Sequence, residues 1–140
     1  MKTIMSFSGE YRWLSNFWAV SVVLDRETYP SVEHAYQASK TTDRFERQLI
    51  QESQSAGHAK KLGSKLKERK DWDSIKLHIM EDLLRQKFSV PDLKEQLIAT
   101  GHAEIIEGNT WGDHFWGVCK GTGENHLGTL LMKIREELVA

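Results

Sequence analysis

The stretch VSVVLDRETYPSVEHAYQASK, residues 20–40, decides the fold class. Residues 20–24 are β-branched and apolar, Asp25, Arg26 and Glu27 are turn-like, and Thr28 and Tyr29 resume strand chemistry, which predicts a small hairpin. Pro30 and Ser31 then break the pattern. Ser31 is placed to cap a helix, because its hydroxyl can accept from a backbone N–H of the first turn, and the residues after it are good helix formers. The stretch reads as a hairpin leading into a helix.

Downstream, helical signals dominate. Residues 43–52 read as a helix, and so do residues 56–66, where Ala56, Ala59, Leu62 and Leu66 recur at helical spacing around Gly63. The clearest helix is 73–88: Leu77, Met80, Leu84 and Phe88 step by three and four while Lys76, Glu81 and Arg85 fall elsewhere. Pro91 suits the first turn of a helix over 91–99, and Gly101 suits its end. Residues 103–106 read as a short strand. A final helix over 126–138 carries Leu127, Leu130, Leu131, Ile134 and Leu138 on one stripe, with Asn125 as candidate N-cap. The predicted class is mainly α, an α+β chain with a small N-terminal β-hairpin. No linker, repeat or low-complexity stretch divides it, so residues 1–140 are read as one compact domain.

The 140 residues are 39% hydrophobic and 28% charged with only 2 prolines, a globular composition rather than a disordered or collagenous one. A chain of this length buries roughly two-thirds of the surface its unfolded form exposes, enough for a core without staples. Nineteen Lys plus Arg against 20 Asp plus Glu give a net charge of −1, which removes any bulk signal for nucleic acid or anionic membrane but leaves room for a local basic pocket. Cys119 stands alone, the start MKTIMSFSGEYRW has no apolar leader core, and no apolar run reaches membrane-spanning length. These features predict a soluble, cytoplasmic protein with no membrane partner. The compositional oddity is five tryptophans, at 13, 18, 72, 111 and 116.

Three polar constellations bear on chemistry. In YRWLSNFW, residues 11–18, Arg12, Ser15 and Asn16 lie among aromatics; a guanidinium fork, an amide and stacking faces suit a phosphorylated or nucleotide ligand, while a core-packed turn is the plainer use. In SVEHAYQASK, residues 31–40, Glu33, Tyr36 or Gln37, and Lys40 fall at i, i+3 or i+4, and i+7, which brings Glu33 and Lys40 onto one helix face; a carboxylate, an amide and an amine together suit acid–base and nucleophilic work, and a solvated charged face is the alternative. For His34 a surface or core position is the plainer reading. The third is NTWGDHFWG, residues 109–117, followed by KGTGENHLG, residues 120–128. Its glycines and the helix start after them could cradle an anion, with Asp113 a carboxylate between Trp111 and Trp116, or form a tight turn with a solvated Asp. The pattern fits neither a Walker loop nor a Rossmann fingerprint. Six scattered histidines and one cysteine show no zinc spacing, so neither metal nor cofactor is expected.

Taken in order, LSNF, YPSVEHAYQASK, Trp72, Met80, Leu84, KF, WGD and GENHLGTLLMKIREEL resemble the NADAR, or YbiA-like, family over residues 7–138. The resemblance implies a compact, mainly helical fold and an N-glycosidase that cleaves a bond between a ribose anomeric carbon and nitrogen. Two small-molecule substrate classes go with it: phosphorylated ribosylamino-pyrimidine intermediates of riboflavin biosynthesis, and ADP-ribose on the amino group of guanine, including guanine in nucleic acid. Carried residue by residue, the Ser-Asn-Phe element falls on Ser15, Asn16 and Phe17, the Glu-His and Gln-Ala-x-Lys elements on Glu33, His34, Gln37 and Lys40. The Trp-Gly-Asp element falls on Trp111, Gly112 and Asp113, and the last element on Gly123, Asn125, Leu127 and Gly128. His114, Phe115 and Trp116 before Gly117 depart from the simplest Trp-Gly-Asp-Gly form, which bears on substrate choice.

Breaking a C1–N bond requires stabilisation at C1 and a proton for the leaving nitrogen. Lys40, Glu33 and Asp113 are the expected catalytic residues, either as paired carboxylates or with Lys40 forming a Schiff base while a carboxylate moves protons. Arg12, Ser15, Asn16, Phe17, His34, Gln37, Trp111, Gly112, Trp116, Gly123, Asn125 and Gly128 are the expected substrate-binding set, with four of the five tryptophans as pocket walls and Trp72 in the core. A non-catalytic ADP-ribose or nucleotide-binding module is the alternative.

Overall fold

A computed structural model describes residues 2–140. In chain order the elements are β1 (Thr3–Ile4), a 3-10 helix (Gly9–Leu14), β2 (Ala19–Leu24), β3 (Glu27–Ser31), α1 (Val32–Ala38), α2 (Arg44–Gln51), α3 (Ala56–Gly63), α4 (Trp72–Lys87), α5 (Pro91–Ala99), β4 (Glu104–Ile105), β5 (Gly108–Asn109), β6 (Val118–Cys119) and α6 (His126–Val139). The class is mainly α with short strands, as expected. The chain divides into two compact units: Asn16–Lys87, and the N-terminal stretch to Ser15 with Phe88–Ala140.

In Asn16–Lys87 the hairpin of β2 and β3 pairs Val22 with the buried Tyr29. Its two-residue turn holds Asp25 at φ +49° and Arg26 at φ +72°, the doubly left-handed geometry that matches the twist of a tight hairpin. The Gln86 amide continues the ladder from α4, accepting from Val23 N–H at 2.7 Å and donating to Val23 C=O at 2.8 Å. Ser31 caps α1 by accepting from His34 N–H at 3.1 Å, Asp43 caps α2 by accepting from Glu46 N–H at 2.8 Å, and Ser55 caps α3 by accepting from His58 N–H at 3.1 Å. Every residue of α1 is buried. Ala35 and Ala38 allow close packing, and Tyr36 meets Trp72 of α4 with ring centroids 5.2 Å apart.

Two expectations change here. The third helix ends at Gly63 instead of continuing to Leu66; Lys65 N–H and Leu66 N–H bond to the carbonyls three residues back, a tight finishing turn. On α4 the inward face is Trp72, Met80, Leu83, Leu84 and Lys87, while Leu77 is 38% exposed.

In the other unit, β1 pairs in parallel with β4 and β5 with β6. Trp13 is buried, donates from Nε1 to Glu10 C=O at 2.9 Å, and sets its ring edge-on to Phe88 at 6.3 Å. Trp13 is thus packed in the core and also borders a cavity with Lys2, Ile4, Tyr11 and Gln96; Trp72 is core as expected. α6 buries Leu127, Gly128, Leu131, Ile134 and Arg135. Among the described residues no helix is long and apolar enough to cross a membrane.

Candidate active site

The residues of α1 form the first polar cluster. Glu33, His34 and Gln37 are 7%, 3% and 4% exposed, which removes the solvated-face reading of this helix. Gln37 Nε2 donates to Glu33 Oε2 at 2.6 Å, a short bond of the kind a charged acceptor makes. Glu33 N–H donates to Asn16 C=O at 3.0 Å, tying the start of α1 to the segment before β2. Asn16 Nδ2 points at Met80 Sδ at 3.6 Å, and its Oδ1 is buried with no hydrogen-bond partner; Gln37 Oε1 is likewise buried and unpartnered.

Lys40 follows α1 and is half-buried. Burial lowers its amine pKa, with Lys60 and Lys76 acting in the same direction and Glu33 and Glu68 opposing them. Its Nζ lies 5.9 Å from the centroid of the Tyr36 ring. A lysine that is less readily charged than a free one and still reachable has the chemistry of a nucleophile.

His34 is engaged within the fold. Nδ1 meets Ser31 Oγ at 2.7 Å and Nε2 meets Ser53 C=O at 3.2 Å, and burial lowers its pKa against the opposing carbonyl bond. Since a carbonyl only accepts, Nε2 carries the proton in this contact. Phe17 is 47% exposed and lies beside Gly57 of α3.

A residue absent from the expected site is Lys87, fully buried at the end of α4 with its pKa lowered by burial to about 7. Its position seven after Met80 and three after Leu84 already placed it on the apolar face, but a lysine there reads as a helix end.

The second cluster belongs to the other unit and is built around the loop between β5 and α6. Asn109 organises it: Oδ1 accepts from Asp113 N–H at 3.1 Å, and Nδ2 donates to Asp113 C=O and to Glu107 Oε1, both at 2.9 Å. Asp113 Oδ1 accepts from Phe115 N–H at 3.1 Å and Trp116 N–H at 2.9 Å, so this carboxylate shapes its own loop. The expected anion cradle at the start of α6 is occupied by the chain itself: the N–H groups of Glu124, Asn125, His126 and Leu127 donate to the carbonyls of His114, Gly117, Phe115 and Trp116. Asn125 is left-handed and makes no side-chain cap, correcting its expected role. Its Oδ1 accepts from Glu107 N–H at 3.0 Å and its Nδ2 donates to Ile105 C=O at 2.9 Å, fastening β4 to α6. Gly128 is required there, since a Cβ would overlap the Ile105 carbonyl.

Aromatic surface remains at this loop. Phe115 packs on Trp116 and His126 with centroids 4.9 and 4.4 Å apart, and Trp111 is 61% exposed. Arg12, Gly112 and Gly123 are exposed, and Ser15 is partly so. Among the described residues no three His, Cys, Asp or Glu side chains gather as a metal site.

The NADAR domain family matches residues 5–139, so the chain belongs to that family. It is 38% identical to N-glycosidase YbiA of Escherichia coli (strain K12), over 97% of this chain and 89% of that one. It is also 37% identical to a riboflavin biosynthesis protein of Vibrio vulnificus, over 90% of this chain and 35% of that longer protein. The NMR structure of E. coli YbiA superposes with a TM-score of 0.84 at 36% identity, covering 99% of this chain and 87% of that one. The protein is an N-glycosidase of the NADAR family.

Proposed function

We propose that the protein cleaves the C1–N bond of phosphorylated ribosylamino-pyrimidines, with Lys40 as nucleophile and Glu33 as the proton-moving carboxylate. The observation that carries this reading is the grouping on and beside α1 of a half-buried lysine with lowered pKa and a buried carboxylate held by an amide. The riboflavin biosynthesis name of a relative supports the substrate class. In a ribosylamine the sugar ring opens, with a proton going to the ring oxygen, and exposes an imine at C1. Neutral Lys40 Nζ adds to C1; the C1–N bond to the base breaks as Glu33 returns a proton to the leaving amine. Water then adds to the C1–Nζ imine, releasing the sugar phosphate and regenerating the lysine amine.

Lys87, whose pKa is lowered to about 7, is the other candidate amine, but it is fully buried and out of a substrate's reach. Asp113 is assigned to shaping its own loop; Trp111, Trp116, Arg12 and Ser15 in that unit, and Asn16 and Phe17 in the unit that holds Lys40 and Glu33, are each assigned to binding. The family match over residues 5–139 supports one NADAR domain.

The test is incubation with a ribosylamino-pyrimidine phosphate and, in parallel, ADP-ribosylated guanosine, followed by assay for free sugar phosphate or ADP-ribose. Borohydride added during turnover is expected to trap the sugar on Lys40, and Lys40→Arg to abolish both trapping and release. Turnover without an adduct, or an active Lys40→Arg enzyme, removes the lysine route and returns the chemistry to the carboxylates. Release of ADP-ribose alone reassigns the substrate, and binding without release supports a non-catalytic module.

A further inference from the structure

We propose that Gln37 is a positioning residue acting through Glu33, and that Gly63 is the opening in α3 that seats it. The inference rests on the catalytic role proposed for Glu33. Gln37 lies one turn after Glu33 on α1 and donates from Nε2 to Glu33 Oε2 at 2.6 Å, with both side chains buried. The other end of the amide, Oε1, has no hydrogen-bond partner and lies against the backbone of Gly63. A Cβ on residue 63 would overlap that oxygen and approach Gln37 Cδ to 2.7 Å and Gln37 Cβ to 2.8 Å. Any side chain there would drive the amide from its seat.

The orientation of the amide follows from the chemistry at its two ends. Turned over, the amide would set its oxygen against a carboxylate oxygen and leave two N–H donors facing a Cα. As seated, the donor meets the carboxylate and the oxygen meets the Gly63 Cα–H, a weak but favourable contact. Glu33 is thereby restricted in its rotation. Glu33 acts electrostatically on Lys40, as do Lys60 of α3, Lys76 of α4 and Glu68.

Three variants of the full chain test this: Gly63→Ala, Gly63→Ala combined with Gln37→Ala, and Gln37→Glu. The readouts are the carbon-13 titration of the Glu33 carboxyl, the thermal midpoint, and kcat and KM on the ribosylamine substrate. In Gly63→Ala the Glu33 titration is expected to move upward, because the ionised form loses a donor, and kcat to fall about 10²-fold with a smaller change in KM. The double variant relieves the overlap, so its thermal midpoint recovers while the titration and kcat do not. Gln37→Glu sets a second carboxylate beside the first and moves the titration up further. An unmoved titration in Gly63→Ala or Gln37→Glu, or recovery of kcat in the double variant, would overturn the proposal. A wild-type protein inactive on ribosylamines whose Glu33 titration still responds to Gly63→Ala refutes the proposed substrate and supports the positioning role.

Discussion

Lys87→Met tests the physical claim beneath both lysine assignments, that burial in this fold makes an amine reluctant to carry charge. Lys87 is fully buried, and burial lowers its pKa from 10.5 to about 7. The unfolded chain therefore binds a proton at this position at pH values where the folded chain does not. Stability contributed by such a group rises with pH across the window between the two pKa values, and it is lowest below the folded one. Integrating over that window, the folded protein should gain about 2 kcal/mol between about pH 7 and about pH 9 from this one residue. Methionine matches the length of the stem and cannot titrate. Urea unfolding at several pH values, for wild type and variant, reads the difference in slope. The vertical offset between the two curves also reflects the interactions of the amine that methionine cannot make, so the slope is the quantity of interest. Parallel curves across the window would refute the depressed pKa, and with it the idea that burial alone prepares an amine in this protein.

Gly128→Ala should destabilise by about 1–3 kcal/mol through overpacking, since its Cβ would overlap the Ile105 carbonyl and crowd the Asn125 amide; an unchanged thermal midpoint would contradict that close approach. Trp111→Ala should leave stability within about 0.5 kcal/mol, because Trp111 is largely exposed, and should raise KM with kcat preserved; a pure loss of kcat would refute a binding role.

The hairpin and the helices were legible in residues 20–40 and in the periodic stretches because their causes are local. Ser31 and the turn at Asp25 and Arg26 act within three residues of themselves, and the observed cap and left-handed turn sit at those positions. The misreadings share one origin. Gly63 ends α3 where Gln37 is seated against it, Leu77 yields the inward face to Leu83 and Lys87, and Asn125 reaches Ile105 and Glu107 rather than the first turn of α6. Each outcome depends on a partner distant along the chain or on which helix face meets the core. The contact of Trp13 with Phe88 likewise joins residues distant along the chain.

The hairpin turn, the cap of α1 and the presence of the helices were thus legible in residue type and spacing, because those signals act over one or two turns, while the family resemblance rested on the order of motifs across residues 7–138. Burial was not legible. Glu33 and Gln37 share a face of α1 and Lys40 lies just past its end, yet whether these groups are solvated or dry depends on α3 and α4 packing against α1. Desolvation is the larger influence on Lys40 and on Lys87, and it is set by neighbours distant in sequence. The tertiary structure alone therefore decided which lysine stays reachable, which is sealed in the core, and which amide meets the Glu33 carboxylate.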